Sequence, residues 1–554
     1  MEKIYGIDLG TTYSCIATVD EYGKAIVLKN SDGSDVTPSV VYYESQDNIV
    51  VGEAAKDEYD ADRRVAFIKR EIGNDNFVSK CIFPEDPVIV SSYILRKLVQ
   101  DANEELGADI KDVVITCPAY FGTKEKMQTQ QAGEIAGLNV LAILQEPTAA
   151  AISYGVNTKE NKTILVYDLG GGTFDVTLIK VSGSKIHTIA TGGDSRLGGV
   201  DWDKEIVKYL ASQYENETGE VDILDNKETE TQLYLLAEKA KKTLTNMNLY
   251  KAPVMHDDNR VKVELTREMF DSLTSNHLNR TMSIVADVIE AAKQKVDGDN
   301  EPLFDGQIDE VLLVGGSCRM PQVKSMVDET LGCDSKMFDP DQAVAKGAAL
   351  HALALKTIYD SRESLAEQPK DKGLLSKFFK PKADAPTRNV EDPSVINVLS
   401  RSYGISSVMS CNHDIHIVST MIFQQDELPI ETSRTFRTIN EGQNRMNIAV
   451  YETVATRDDI IHDVKHGKPI EKFAVPIDEG VLLDKSVIRF GKPMPIETPV
   501  KVTFHLDAQG ILTVSASEAL TGNAISFQIH LNGVRTKEEV KTAAVRVSRV
   551  KIQS

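Results

Sequence analysis

Cysteine is scarce in this chain. Its six (Cys15, Cys81, Cys117, Cys318, Cys333 and Cys411) are scattered over 554 residues without a CxxC pair. That spacing argues against a disulfide framework and for a reducing compartment. Basic charge is also short, with 62 Lys and Arg against 83 Asp and Glu and a formal net charge of −21. A nucleic-acid backbone or an anionic membrane is therefore excluded as the main partner, since both need basic surface. No apolar run reaches the roughly 18 residues of a membrane span. No charged-then-apolar leader precedes the strand-like opening "MEKIYGIDLG", so a cytoplasmic address is expected. A GxxxxGK[ST] loop is missing too, which excludes a P-loop.

What is present is ordinary globular composition, 41% hydrophobic and 26% charged. At about 150 residues per domain, the length implies three or four domains. From 1 to about 360, short β-branched runs closed by Gly or Pro ("IYGIDLG", "DVVITCPAY", "TILVYDLGG", "DEVLLVGG") alternate with amphipathic stretches. That alternation predicts α/β layers. Residues 361–394 are rich in Lys, Pro and small polar residues and read as a linker. Within it, "KGLLSKFFKPK" could dock on a partner or an anionic membrane, but its composition favours a flexible linker. From 395 to 534 an all-β domain is expected, with Val500, Val502, Phe504 and Leu506 on one strand face before the turn "DAQG". Residues 535–554 are a short basic segment of weak helical character.

Two stretches write nearly the same turn: "GIDLGTTYSC" and "VYDLGGGTFDV". Each is strand, Asp, Gly turn, strand. A phosphate can be gripped by backbone N–H groups only where no Cβ intrudes. Thr hydroxyls add donors, and the Asp closing the entering strand is placed to hold a divalent metal through water. One Gly turn alone is most simply a tight hairpin. Two such turns in separate α/β halves suggest a nucleotide clamped between related lobes, and "LLVGGSCR" would suit its nucleoside. In "LLAEKAKKTLT", Leu233, Leu236, Ala237, Ala240 and Leu244 face a core. Glu238, Lys241, Lys242 and Thr245 share another helix face, which from spacing alone reads as solvated Glu–Lys pairs.

Together with "EPTAAAISYG", "LGGVDWD", "VLLVGGSCRMP" and "DPDQAVAKGAAL", these turns resemble the 70-kDa heat-shock (DnaK-type) chaperones over about 3–358 and, more weakly, 395–533. The resemblance implies a two-lobed actin-like ATPase domain, α/β in class, then a linker and an all-β sandwich that binds extended hydrophobic peptides. It implies ATP/ADP, Mg²⁺ and K⁺ as cofactors. Asp8 and Asp168 would hold Mg²⁺ through its waters. Gly10, Thr11 and Thr12 in one turn, and Gly170, Gly171, Gly172 and Thr173 in the other, would cradle the phosphates. Lys69 matches the lysine at the γ-phosphate, and Glu146 a carboxylate near the metal. Tyr13 and Asp175 match potassium-binding positions. Glu238, Lys241, Lys242 and Thr245 would line the adenosine, with Gly315, Gly316, Ser317, Arg319 and Asp341 completing the pocket. Phe436, Met446 and Ile448 match peptide-pocket positions, and Ile439 an arch over the peptide. A monomer is expected, acting with a J-domain co-chaperone and a nucleotide exchange factor.

The sequence departs from that family in places. In the linker "EDPSVINVLS", Asn397 replaces an acid and Pro393 intrudes. Ala142 stands where many members carry an arginine tied to J-domain docking, so J-protein coupling is in question. Lys126 and Pro118 keep the character of other signalling positions. The loop before Met421 lacks the family's Gly-Gly, and its Cys411, His413 and His416 offer only three soft ligands for a metal. The stretch between Lys69 and "VVITCPAY" is shorter than in typical members, so one small ATPase subdomain is expected to be trimmed. The helical lid over the peptide is expected to be absent, which would make peptide exchange fast in either nucleotide state. Two other functions share the nucleotide turns: a regulatory actin-like ATPase switch acting on one dedicated protein partner, and a sugar or glycerol kinase. The kinase is disfavoured by the β-domain.

Overall fold

The computed structural model describes residues 4–366 and 395–553, apart from 75, 80, 156–160, 183–184, 297–301, 397–398, 400, 410–411, 425, 454, 456, 458, 463–468, 507–511 and 530–533. The 372–382 stretch, the "DAQG" turn and Cys411 fall outside them.

The two Asp-Leu-Gly turns sit in sheets built to one plan. In the first lobe, strand Tyr5–Asp8 pairs antiparallel with Tyr13–Val19 and parallel with Asp112–Cys117. In the second, Lys162–Leu169 pairs antiparallel with Phe174–Ser182 and parallel with Glu310–Val314. Each turn is therefore a hairpin, as the repeated motif predicts, and each hairpin lies beside a parallel crossover strand.

Both sheets are covered by helices, so their strands read as apolar runs. Helices Pro87–Leu106 and Thr123–Ile135 pack on the first lobe. Helices Gly199–Thr218, Lys227–Leu244 and Arg267–Lys293 surround the second lobe's core, centred on the fully buried Trp202. The helix Ala343–Ala366 runs six residues past the expected end of the domain at 360. It crosses Glu146–Gly155 so closely that a Cβ on Gly347 would stand 1.7 Å from the Ala149 carbonyl oxygen.

Beyond the linker, two antiparallel sheets share one core. Val500, Val502, Phe504 and Leu506 are all fully buried from one sheet, as their alternation predicts. Tyr403, Ile405, Ile448 and Val450 meet them from the other. Residues Val395–Ile396, expected to open this sandwich, instead extend the second lobe's sheet, pairing parallel with Ile186 and His187.

Residues 535–553 are more ordered than their weak helical pattern suggests. They form the helix Lys537–Arg549 and a strand, Lys551–Gln553, and both lie on the first lobe.

Candidate functional site

The two glycine turns face each other across a cavity of about 430 Å³. Asp8, Gly10, Thr11, Thr12, Tyr13, Lys69 and Glu146 line it from the first lobe. The second lobe supplies Asp168, Gly170, Gly171, Thr173, Asp203, Glu238, Lys241, Lys242 and Thr245, and Gly315, Gly316, Ser317, Arg319 and Asp341 close its far wall. Residues from Asp8 to Val344 thus line one space.

The glycines are required by how tightly the turns interlock. A Cβ on Gly171 would fall 2.0 Å from Thr12 Oγ1, and one on Gly172 2.2 Å from Thr11 Cγ2. No side chain fits there, so the backbone amides and threonine hydroxyls alone shape the cradle. The helix Gly199–Thr218 starts at the same turn, with Gly199 N donating to Gly170 O (3.0 Å) and Val200 N to Gly171 O (2.7 Å). Ser317 Oγ also donates to Gly170 O, at 2.8 Å.

At and just beneath the cavity floor, acids outnumber cations. Asp168 and Glu146 line it buried, Asp8 lines it half-buried, and Asp175 is buried behind them. Burial first, then the Glu146 carboxylate, pushes Asp8 up to about 7. The same two causes, in the same order, raise Asp168 and Asp175 well above the usual carboxylate range. Lys69 is the buried ammonium among them, 2.6 Å from Glu146 Oε1. Burial alone would lower it, but Glu146 and Asp8 reverse the sign and raise it. Such a carboxylate set fits a hard divalent cation. Among the described residues no three acids, histidines or cysteines are grouped to grip an ion directly. Asp175 Oδ1 accepts from Ala119 N at 2.8 Å.

At the other end, Tyr13 bridges the lobes. Its hydroxyl donates to Glu238 Oε1 (2.8 Å) and receives a hydrogen bond from Lys242 Nζ (2.8 Å). Lys56 Nζ lies 2.7 Å from Glu238 Oε2. Against the cost of burial, Lys56 and Lys242 hold the Glu238 carboxyl at about 2. Lys241 donates to Asp203 Oδ2 (2.7 Å) and to Gly199 O (2.9 Å). Asp203 Oδ1 is buried without a hydrogen-bond partner among the described residues. Arg319 pairs with Asp341. Lys56 and Asp203 join the site without a motif that assigns them a role. Asp203 stands in the quoted motif "LGGVDWD", whereas Lys56 lies in a stretch with no recognisable pattern.

The positions expected to bind peptide are not equivalent. Phe436 and Met446 are partly buried against the sandwich core, and Ile439 is half-buried. Ile448 is fully buried within that core and presents no surface. His416 is exposed on strand Asn412–Ile422. No helix among the described residues is long and apolar enough to cross a membrane.

A family model described as Hsp70 protein matches residues 4–85, 77–366 and 382–552. The chain is 34% identical over 532 residues to a chaperone protein DnaK of Thermosipho melanesiensis, covering 94% of this chain and 79% of that protein. It is 33% identical over 539 residues to a chaperone protein DnaK of Thermosipho africanus, covering 95% and 80%.

Proposed function

The chain belongs to the Hsp70 family, and from that premise we propose that it is a chaperone that hydrolyses ATP to switch the affinity of its β-sandwich for exposed hydrophobic peptide segments. The observation that carries the reading is the pair of facing Asp-Gly turns, interlocked through Gly171 and Thr12, above buried carboxylates.

In this mechanism Thr11, Thr12, Thr173 and the turn amides bind and orient the phosphates. Asp8 and Asp168 would hold Mg²⁺ through its waters, which supplies charge neutralisation at the phosphates. Lys69, held by Glu146, adds a fixed cation at the γ-phosphate and orients the attacking water. Glu238, Lys241, Lys242 and Thr245 contact the adenosine, with a long cationic side chain of that helix face covering the base. Tyr13 and Asp175 are the proposed K⁺ positions, and Phe436, Ile439 and Met446 the proposed peptide contacts. A J-domain protein and an exchange factor would act on a monomer in the cytoplasm.

A second reading, a switch for one dedicated protein partner, is favoured by the tie between residues 535–553 and the first lobe. Single-turnover hydrolysis with Mg²⁺ and K⁺, with and without an extended hydrophobic peptide, separates the two. Stimulation by peptide supports the chaperone. Hydrolysis indifferent to any of a panel of peptides overturns it in favour of the dedicated switch.

A further inference from the structure

Lys69 and Arg70 stand side by side in the single 3-10 turn Ile68–Glu71, yet only Lys69 lines the cavity. Arg70 crosses to the second lobe instead. Its Nε donates to Gly172 O at 2.7 Å, and its Nη2 pairs with Asp201, both side chains being about nine-tenths buried. Asp201 Oδ2 also accepts from Gly198 N at 2.9 Å, just before helix Gly199–Thr218. Burial alone would raise Asp201, but Arg70 and then Lys204 hold it below the ordinary carboxylate value. One planar fork thus grips a carbonyl of the phosphate turn and the carboxylate at the start of the next helix.

The peptide that Arg70 grips has little room to turn. A Cβ on Gly172 would stand 2.2 Å from Thr11 Cγ2, and one on Gly198 would stand 2.5 Å from Gly172 C and 2.6 Å from Thr173 N. A trans peptide points its C=O and N–H in opposite directions. With the Gly172 oxygen turned to Arg70, the Thr173 N–H faces away from it. Thr173 is buried and lines the cavity, and its amide has no hydrogen-bond partner among the described residues. A buried amide left free is costly, and a phosphate oxygen would satisfy it.

The lobes are also joined at the nucleoside end, where Tyr13 and Lys56 meet Glu238. Arg70 joins them at the phosphate end. Its two contacts need the lobes within hydrogen-bond distance, and they then fix the neighbouring Lys69 against the second lobe's turn.

We propose that Arg70 is a positioning residue for phosphoryl transfer: by holding Gly172 O and Asp201 across the cleft, it sets the Thr173 amide and Lys69 against the same phosphate. The proposal rests on the ATPase reading and deepens it. Its effect falls on the rate, because a group that aligns the reacting phosphate contributes most in the transition state.

Single-turnover ATP hydrolysis over a range of Mg·ATP concentrations, on the full chain and its Arg70→Ala and Arg70→Lys variants, tests it. Arg70→Ala should hydrolyse about 100-fold more slowly, with the Kd for ATP within about threefold of the parent's. Ethylguanidinium should restore about tenfold of the loss, and ethylammonium at the same concentration should not. A residue that only packs the turn would give neither the split between rate and affinity nor the selective rescue. An unchanged rate, an equal loss of rate and affinity, or the absence of selective rescue overturns the proposal and leaves the ATPase reading standing. If Arg70→Ala does not fold, Arg70→Lys decides. Its ammonium cannot fork to both partners, so a rate about tenfold down at the parent's melting temperature supports the proposal, and an unchanged rate overturns it. A parent chain that does not hydrolyse ATP ends the ATPase reading and this inference with it.

Discussion

Lys69 Nζ lies 2.6 Å from Glu146 Oε1, with both side chains more than nine-tenths buried. One partner comes from a single 3-10 turn, Ile68–Glu71, and the other opens helix Glu146–Gly155. Removing either member leaves the other charge buried without its counterpart, which costs about 3–5 kcal/mol. Lys69→Ala should therefore lower the melting temperature of the lobes. It should also cut single-turnover ATP hydrolysis by about 100- to 1,000-fold, with ATP affinity changed far less. Glu146→Gln keeps an acceptor for Lys69 and should cost less on both counts. Equal losses of affinity and rate in Lys69→Ala would show that the ammonium acts in binding alone.

Asp168 closes its strand at the phosphate turn and is raised by burial and by Glu146. Asp168→Asn keeps the shape and removes the charge. Titration calorimetry should show the Mg²⁺-dependent part of ADP affinity falling about tenfold or more, about 1.4 kcal/mol per decade, while metal-free binding holds. A variant that loses both alike would assign Asp168 to packing.

Gly347 lets two helices touch. A methyl group there would meet the Ala149 carbonyl at 1.7 Å, whereas one on Gly155 meets Val181 at an ordinary 3.7 Å. Urea unfolding should show Gly347→Ala destabilised by about 1–3 kcal/mol or more and Gly155→Ala little changed. Because Ala149 sits one turn after Glu146, hydrolysis should fall in the first variant as well.

The sandwich meets the first lobe through a pair of acids. A Cβ on Gly122 would lie 2.8 Å from Glu452 and 3.1 Å from Glu125. Burial, then the Glu125 charge, lifts Glu452 from 4.5 to about 7. Arg401 and Lys124 also act on it, and Tyr403, hydrogen-bonded to Thr123 at 3.0 Å, completes the contact. A carboxyl raised on folding favours the docked form fully below its ordinary value, and this contribution is lost as pH rises through the folded one. Docking should thus weaken between pH about 4.5 and about 7. Hydrodynamic radius across that window should show the slope in the parent and a flatter profile in Glu452→Gln. Parallel profiles would clear Glu452 of the effect.

Phe436 and Met446 keep exposed surface and Ile448 has none. Met446→Ala and Phe436→Ser should weaken the binding of an extended hydrophobic peptide, read by fluorescence anisotropy, with small changes in unfolding. Ile448→Ala should instead cost about 2–5 kcal/mol of stability. Intact peptide binding in the first two would move the site elsewhere on the sandwich.

Much of this was legible in the residues. The alternation at Val500, Val502, Phe504 and Leu506 is a period-2 signal that any half-buried strand must carry. The repeated Asp-Leu-Gly turn marked both hairpins, since only glycine allows such close approach. Spacing also separates the two faces of helix Lys227–Leu244: Leu233, Ala237, Ala240 and Leu244 are buried and Leu236 partly so, but that Glu238, Lys241 and Lys242 reach the cavity and not open solvent came only from resemblance. The role of Lys69 came only from resemblance, because nothing local distinguishes a buried lysine from a solvated one.

The sequence by itself determined the local alternatives: which stretches become strand, helix or turn, and where glycine is obligatory. The tertiary structure alone decided the pairings made over long distances. Lys551–Gln553 joins a strand some 500 residues earlier, Val395–Ile396 leaves the sandwich for the second lobe, and Glu452 is set against Glu125. Periodicity reports that a strand has an apolar face or an open edge. Which edge it meets depends on the free energy of the whole packed chain, and no short window of residues contains that quantity.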